Sequence, residues 1–238
     1  MKLSVIIPAL NEEDFLPDTI RMLRENSVSQ IGKEIIVSDS GSDDGTPELA
    51  LRLGARLVES KDRARGRAVA LNRGAGAATG DVFLFLDADT TPPYGYDACI
   101  ERVLSDPETV GGAFEFSLDG AEFGLRVVEF LNRIRYRLRQ RYYGDQGIFV
   151  RADVFRRVGG CPERPILEAA YLCKALRKEG KLKLVGLGMN TSPRRFIEGG
   201  IYRVLAKDIK IWFLDLIGFS VDNFADDYWK ENRVRAKK

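Results

Sequence analysis

The chain has 238 residues, 45% of them hydrophobic, which is enough to bury a full core as one domain or two small ones. Its 37 basic and 35 acidic residues leave a net charge of +2, so no bulk field selects nucleic acid or an anionic membrane. The lack of any histidine excludes imidazole bases and imidazole metal ligands, leaving carboxylates, amides, hydroxyls and backbone groups to do whatever chemistry is done.

Cys99, Cys161 and Cys173 are odd in number and form no CxxC pair, which argues against a disulfide framework or a zinc site and suits a reduced cytosol. The opening MKLSVIIPAL has a brief apolar run broken by Pro8, too short for a signal-peptide core, so a cytoplasmic protein is expected. Leu3 to Ile7 reads as a strand, PALNE as the loop at its carboxyl end, and Glu12 to Glu25 as a helix with Phe15, Leu16, Ile20 and Leu23 on one face. Glu34 to Ser38 is a second strand running into SDSGSDDGT, after which Thr46 as N-cap and Pro47 at the first helical position start a helix. Alternation of this kind predicts βαβ units and a parallel sheet.

Arg56 to Glu59 is a short third strand, followed by KDRARGRAVALNRGAGAATG, basic at first and then an Ala-rich helix up to Gly80. Its glycines end a helix instead of following a strand, which rules out a dinucleotide fingerprint. Val82 to Thr91, VFLFLDADTT, is a strand buried on both faces that empties into Asp87 and Asp89. Acids at i and i+2 leave a strand on opposite faces, yet a turn can aim both at one hard cation; a turn-capping role for Asp89 is the other reading.

Tyr94 to Ser105 is helical. Gly112 to Ser117 alternates like a half-exposed strand, and Ala121 to Arg141 is a long helix with Phe123, Val127, Phe130, Leu131, Ile134 and Leu138 on one side. The six arginines from Arg126 to Arg141 read as a solvated helix face ahead of a phosphate surface. A GDQG loop leads into strand Ile148 to Arg151, Leu167 to Glu179 is helical, and Leu182 to Leu187 is the last strand. From Ile201 to Phe219 a helix is apolar most of the way round. It either packs between surfaces, across a homodimer for example, or lies on a membrane, and its acids and lack of a strongly basic face favour packing. No linker divides the chain; residues 1–200 form the main domain and 201–238 a helical extension.

The loops PALNEE, SDSGSDDGT and DADTT fall at the carboxyl ends of predicted strands, on one edge of a parallel sheet, where they can form one cleft. In this order they resemble an inverting family 2 glycosyltransferase of the GT-A type over residues 3 to 200. The segments FLDADT, GDQGIFVR and PERPILEA resemble its bacterial selenodomain- or radical-SAM-associated branch. The resemblance implies an α/β fold with a mostly parallel, Rossmann-like central sheet flanked by helices. It further implies transfer of a sugar from a UDP- or GDP-linked donor to a small-molecule or lipid-linked hydroxyl acceptor, with Mn2+ or Mg2+ as cofactor, no nucleic acid partner, and peripheral membrane contact as an option.

By the same resemblance, Pro8, Ala9 and Glu12 line the nucleotide and Asp39 binds its base. Asp87 and Asp89 form the DxD pair, with Asp89 on the metal. Arg67 and Asn72 flank the donor, and Arg194 and Arg195 meet the diphosphate or acceptor. The family base is usually an Asp in an acidic pair after a GG(F/C)PE segment. Here that segment reads GGCPERPILEA, with Ala169 at the Asp position, so Glu168 or Asp145 is left as the catalytic carboxylate, and a donor-binding protein without transfer is the alternative. A nucleotidyltransferase would need a Gly-rich basic loop after the first strand, which PALNEE is not.

Overall fold

A computed structural model of the chain describes residues 1–60, 66–139 and 141–225, with the backbone alone for 138 and 139. The basic opening of the Ala-rich segment, the side chain of Leu138 and the end of the helical extension therefore lie outside the described residues. Nine helices and eight strands are described: β1 (Lys2–Ala9), α1 (Leu16–Glu25), β2 (Gly32–Asp39), α2 (Thr46–Arg52), β3 (Arg56–Glu59), α3 (Gly66–Ala77), β4 (Val82–Phe85), β5 (Thr90–Thr91), α4 (Tyr96–Val103), β6 (Thr109–Leu118), α5 (Phe123–Arg139), β7 (Ile148–Arg151), α6 (Ala152–Arg157), α7 (Glu168–Leu176), β8 (Lys181–Thr191), α8 (Arg194–Gly199) and α9 (Ile201–Leu216).

The strands form one sheet in the order β3-β2-β1-β4-β7-β6-β8-β5. The first four are parallel, as the alternating pattern predicts, and β7 enters antiparallel to both β4 and β6. This is the expected α/β architecture, a GT-A-like mixed sheet with helices on both faces.

The period-two pattern divides the core. Leu3, Val5 and Ile7 of β1 and Val82 and Leu84 of β4 pack with Leu16, Ile20, Tyr96 and Ile100 on one face. Ile6, Phe83 and Phe85 turn to the other, against Ala68, Leu71, Phe155, Leu172 and Val204. The Ala/Gly composition of α3 has a steric cause: a Cβ at Gly74 would lie 2.5 Å from Ile6 Cγ2, so only glycine lets the helix come this close to β1.

Several elements differ from the sequence reading. α1 begins at Leu16 because Pro17 belongs in a helix's first turn, where its missing N–H costs nothing. The cap of α2 is Gly45, and Thr46 instead donates its amide and hydroxyl to Asp44 Oδ1. β6 is buried along nearly its whole length: the polar position that suggested exposure, Glu115, is turned inward to accept hydrogen bonds from Tyr136 and Arg137 of α5. On α5 the buried side chains among the described residues are Leu125, Val128 and Tyr136, while Phe123, Phe130 and Ile134 of the expected core stripe face solvent. α9 is fixed by one side only, through Val204 and Leu205 and through Ile211, which packs with Ile166 and Val221. Among the described residues no helix is long and apolar enough to cross a membrane.

Candidate functional site

β1 and β2 end together at Ala9 and Asp39, and Pro8 lies past the end of the β1–β4 pairing. The register between β1 and β4 stops at Ile6 opposite Phe85, and two residues later Pro8, with no amide to donate, continues only alongside β2. Ala9 is buried beside it, opposite Asp39.

The two loops on this side stitch to each other. Asn11, in the left-handed region at φ 57°, donates its amide to Ser42 Oγ and accepts the Asp43 amide on its side chain. Glu12 donates its amide to Thr46 Oγ1, and Glu13 accepts the Gly45 amide at 2.7 Å. Asp39 is 1% exposed and accepts from the Gly41 and Ser42 amides and the Ser42 hydroxyl, so its carboxylate is engaged in shaping its own loop.

The acidic turn after β4 is completed by a strand the sequence reading missed. β5 pairs antiparallel with the end of β8, Thr90 opposite Thr191, and Ser192 donates its amide to the Asp89 carbonyl. This two-residue pairing carries the following residues to the turn, and Arg194 lands between two acids. Its Nε lies 3.0 Å from Asp89 Oδ2 and its Nη2 donates to Glu12 Oε1 at 2.7 Å, with the guanidinium over the Phe15 ring. Arg194, Glu12 and Asp89 thus meet in one cluster at the turn. Arg195 turns the other way, into a bidentate pair with Asp208 of α9.

A second arginine organises the other side. Arg67, at the start of α3, donates to Asp87 Oδ1 from Nε and Nη2 at 2.9 and 2.7 Å and to Glu168 Oε1 from Nη1 at 2.6 Å. The two carboxylates raise its pKa against the opposing effect of burial. Asn72, five residues on, is spent on structure: its amide brackets the backbone of Cys161, donating to the carbonyl at 2.8 Å and accepting the N–H at 2.7 Å. Asn72 thus clamps α3 to the GGCPE loop. That loop leads into α7, where Glu168 faces Arg67 while Ala169 is sealed in the apolar core at 4% exposure.

Asp145 sits in a 3-10 turn (Gly144–Gln146) whose last residue, Gln146, is locked by a bond from its side chain to the Phe114 carbonyl. Among the described residues no donor reaches the Asp145 carboxylate. Burial pushes its pKa up to about 6, opposed by Arg135, whose guanidinium lies over the Tyr143 ring. The sequence reading placed Arg135 with the other arginines of this helix on a solvated face; its approach to Tyr143 depends on helix phase, which composition does not reveal. Burial likewise lifts Asp89 to about 7, with Arg194 opposing and Asp87 adding to the shift.

The oxygens present suit a hard divalent cation. Glu12 Oε2 is buried with no hydrogen-bond partner among the described residues, beside Asp89. Among the described residues no three acids converge to hold an ion unaided, which fits a site completed by phosphate oxygens.

Comparison with known proteins agrees with this fold. A mannosyltransferase from Pyrobaculum calidifontis, solved with GDP-Man and Mn2+, superposes with a TM-score of 0.69 at 22% identity, over 97% of this chain and 68% of that one. Glucosyl-3-phosphoglycerate synthase from Mycobacterium tuberculosis, solved with Mn2+, UDP-glucose and phosphoglyceric acid, gives 0.63 at 22% identity, over 92% and 80%. In sequence the chain is 29% identical over 231 residues to an undecaprenyl-phosphate 4-deoxy-4-formamido-L-arabinose transferase of Klebsiella pneumoniae, covering 93% of this chain and 66% of that protein. It is 38% identical over 114 residues to glycosyltransferase AglD of Haloferax volcanii, covering 44% of this chain and 18% of that protein. The chain thus spans less than two thirds of the length of these curated relatives. The glycosyl transferase family 2 model matches residues 4–157, the stretch that contains both stitched loops, the acidic turn and the Asp145 turn, and the chain belongs to that family.

Proposed function

We propose that the protein transfers a sugar, with inversion and with a divalent metal, from a UDP- or GDP-linked donor to a hydroxyl acceptor, and that Asp145 is the base. The observation that carries this reading is the contrast among the cleft carboxylates: Asp87 and Glu168 are held by Arg67, Asp89 by Arg194, and the Asp145 carboxylate has no donor among the described residues. A base must be free to accept a proton, and a carboxylate with its pKa at about 6 is ionised at neutral pH yet basic enough to take one.

Asp145 would receive the acceptor's hydroxyl proton as that oxygen bonds to the anomeric carbon. The bond from that carbon to the donor phosphate breaks, and its electron pair leaves on the nucleoside diphosphate. Arg194 and Arg67 lie where this charge would develop. Mn2+ or Mg2+, held by Asp89 with Asp87 and the spare oxygen of Glu12 near it, would supply the leaving group with charge neutralisation. Pro8 and Ala9 would form the floor beneath the nucleotide. Glu168 serves in this scheme by fixing Arg67. Ala169 is buried in the core, which supports placing the base at Asp145 and favours transfer over donor binding alone. FLDADT, GDQGIFVR and PERPILEA support the bacterial selenodomain-associated branch, and the lipid-phosphate relatives support an acceptor of that chemistry.

Thermal unfolding with nucleotide sugars, with and without Mn2+, tests the reading. A saturating donor with metal should raise the midpoint by about 5 to 10 °C, the stabilisation expected near a hundredfold excess over Kd. Asp89→Ala should abolish the shift. No shift with any UDP- or GDP-sugar would overturn it.

A further inference from the structure

The outer faces of α5 and α9 combine two properties that soluble surfaces keep apart. Phe123, Phe130 and Ile134 on α5 are 78, 61 and 43% exposed, and Tyr202, Ile209 and Phe213 on α9 are 63, 42 and 54% exposed. Each set follows a helical period, so each helix presents an apolar stripe to solvent opposite the one it buries. The helices pack together where Gly124 meets Ile201, a Cβ at Gly124 falling 3.0 Å from Ile201 Cγ2.

Charge selects the partner. Glu129 is the only acid on α5, and Asp208 and Asp215 are the acids of α9. Their side chains are 12, 13 and 5% exposed and are paired with Arg126, Arg195 and Arg141. The exposed charges on both helices are basic: Arg126, Arg133 and Arg137 on α5, the first paired with Glu129 and the other two sharing Glu115, and Arg203 and Lys210 on α9. The acids that favoured packing for the C-terminal helix are those the fold turns inward. Exposed Glu122 and Glu198 lie outside both helices. After Asp226-Asp227 the sequence adds Trp229 and five bases against one acid through residue 238.

We infer that the α5/α9 face docks on the surface of a bilayer containing anionic lipid. Helices of 17 and 16 residues are about 25 Å long, too short to span but suited to lie in the interface with aromatic side chains in the acyl boundary and arginines at the headgroups. The docking stands apart from the transferase reading. Where that reading holds, docking brings the cleft to a lipid-borne acceptor, because α9 is tied through Asp208 to Arg195, next to the Arg194 that touches Asp89.

Co-sedimentation with vesicles tests this. The full chain should bind vesicles of phosphatidylcholine with phosphatidylglycerol, more weakly in high salt, and bind pure phosphatidylcholine poorly. Phe130→Asp with Phe213→Asp should weaken binding at least about tenfold, while the donor-induced thermal shift stays as in the parent. Arg203→Glu with Lys210→Glu, which leaves the apolar stripe intact, should weaken binding to anionic vesicles alone and decides the matter should the first variant unfold. No binding to anionic vesicles overturns the inference. So does a concentration-dependent dimer in sedimentation equilibrium that the phenylalanine variants abolish, since a second copy would then cover the face. A lost thermal shift with vesicle binding intact would count against the transferase reading alone.

Discussion

The two sides of the cleft are held together by different physics. On the side of β1 and β2, short polar contacts between neighbouring loops fix the backbone: Asn11 with Ser42 and Asp43, Glu13 with Gly45, Asp39 with Gly41 and Ser42. On the side of α3, α7 and α8, arginines bridge carboxylates far apart in sequence, Arg67 joining Asp87 to Glu168 and Arg194 joining Glu12 to Asp89. Loop contacts of the first kind are indifferent to what binds. Ion pairs of the second kind can exchange partners, since a phosphate competes for the arginine and a cation for the carboxylate. The molecule thus pairs a preformed wall with a re-partnering one.

Arg67→Ala breaks the second wall most severely, because it strands the buried Glu168 and the half-buried Asp87 together. Stability should fall by about 3 to 5 kcal/mol in chemical denaturation, and transfer should be lost. Arg67→Lys, which keeps charge but cannot reach both acids with a planar fork, should recover stability more than turnover.

Asp145→Asn removes the carboxylate that has no partner on either wall. Turnover should drop by about a hundred- to ten-thousandfold with KM little changed. Stability should hold or rise: a carboxyl whose folded pKa is raised destabilises the fold as pH climbs through about 6, and the amide has no such charge. In the parent, kcat/KM should rise with pH through about 6 as the base loses its proton, and the variant should lose that limb. A variant that retained both rate and limb would move the base elsewhere.

Asn11→Ala probes the preformed wall. It removes the side-chain bond to the Asp43 amide and leaves an alanine at positive φ, costing about 1 to 2 kcal/mol. Because this wall acts through shape, donor affinity should weaken while the pH profile keeps its form.

How much of this was legible follows the same division. The parallel strands declared themselves because runs such as Val82–Phe85, buried on both faces, leave little ambiguity of period, and the loops after them are contiguous in sequence. The bridging arginines were legible only as family positions. Nothing local indicates that Arg194 turns to Asp89 while Arg195 turns to Asp208, because that depends on the two-residue strand Thr90–Thr91 capturing the end of β8. Asn72 illustrates the converse, a polar residue in a functional segment whose hydrogen-bonding capacity goes to the backbone of Cys161. The period of α5 was read correctly and its phase wrongly, since two apolar stripes compete on that helix and only tertiary packing decides which one is covered.

The glycine at position 74 sets a distance as well as a contact. Arg67 lies seven residues earlier on α3, about 10 Å along the axis, so the point where the helix rests on Ile6 acts as a fulcrum for the guanidinium at its far end. A single methyl at Gly74 would lift the helix off β1 and tilt Arg67 away from Asp87 and Glu168 together. The alignment of the charged centre is therefore calibrated by the lack of a side chain in the apolar core, about two helical turns from the guanidinium it positions.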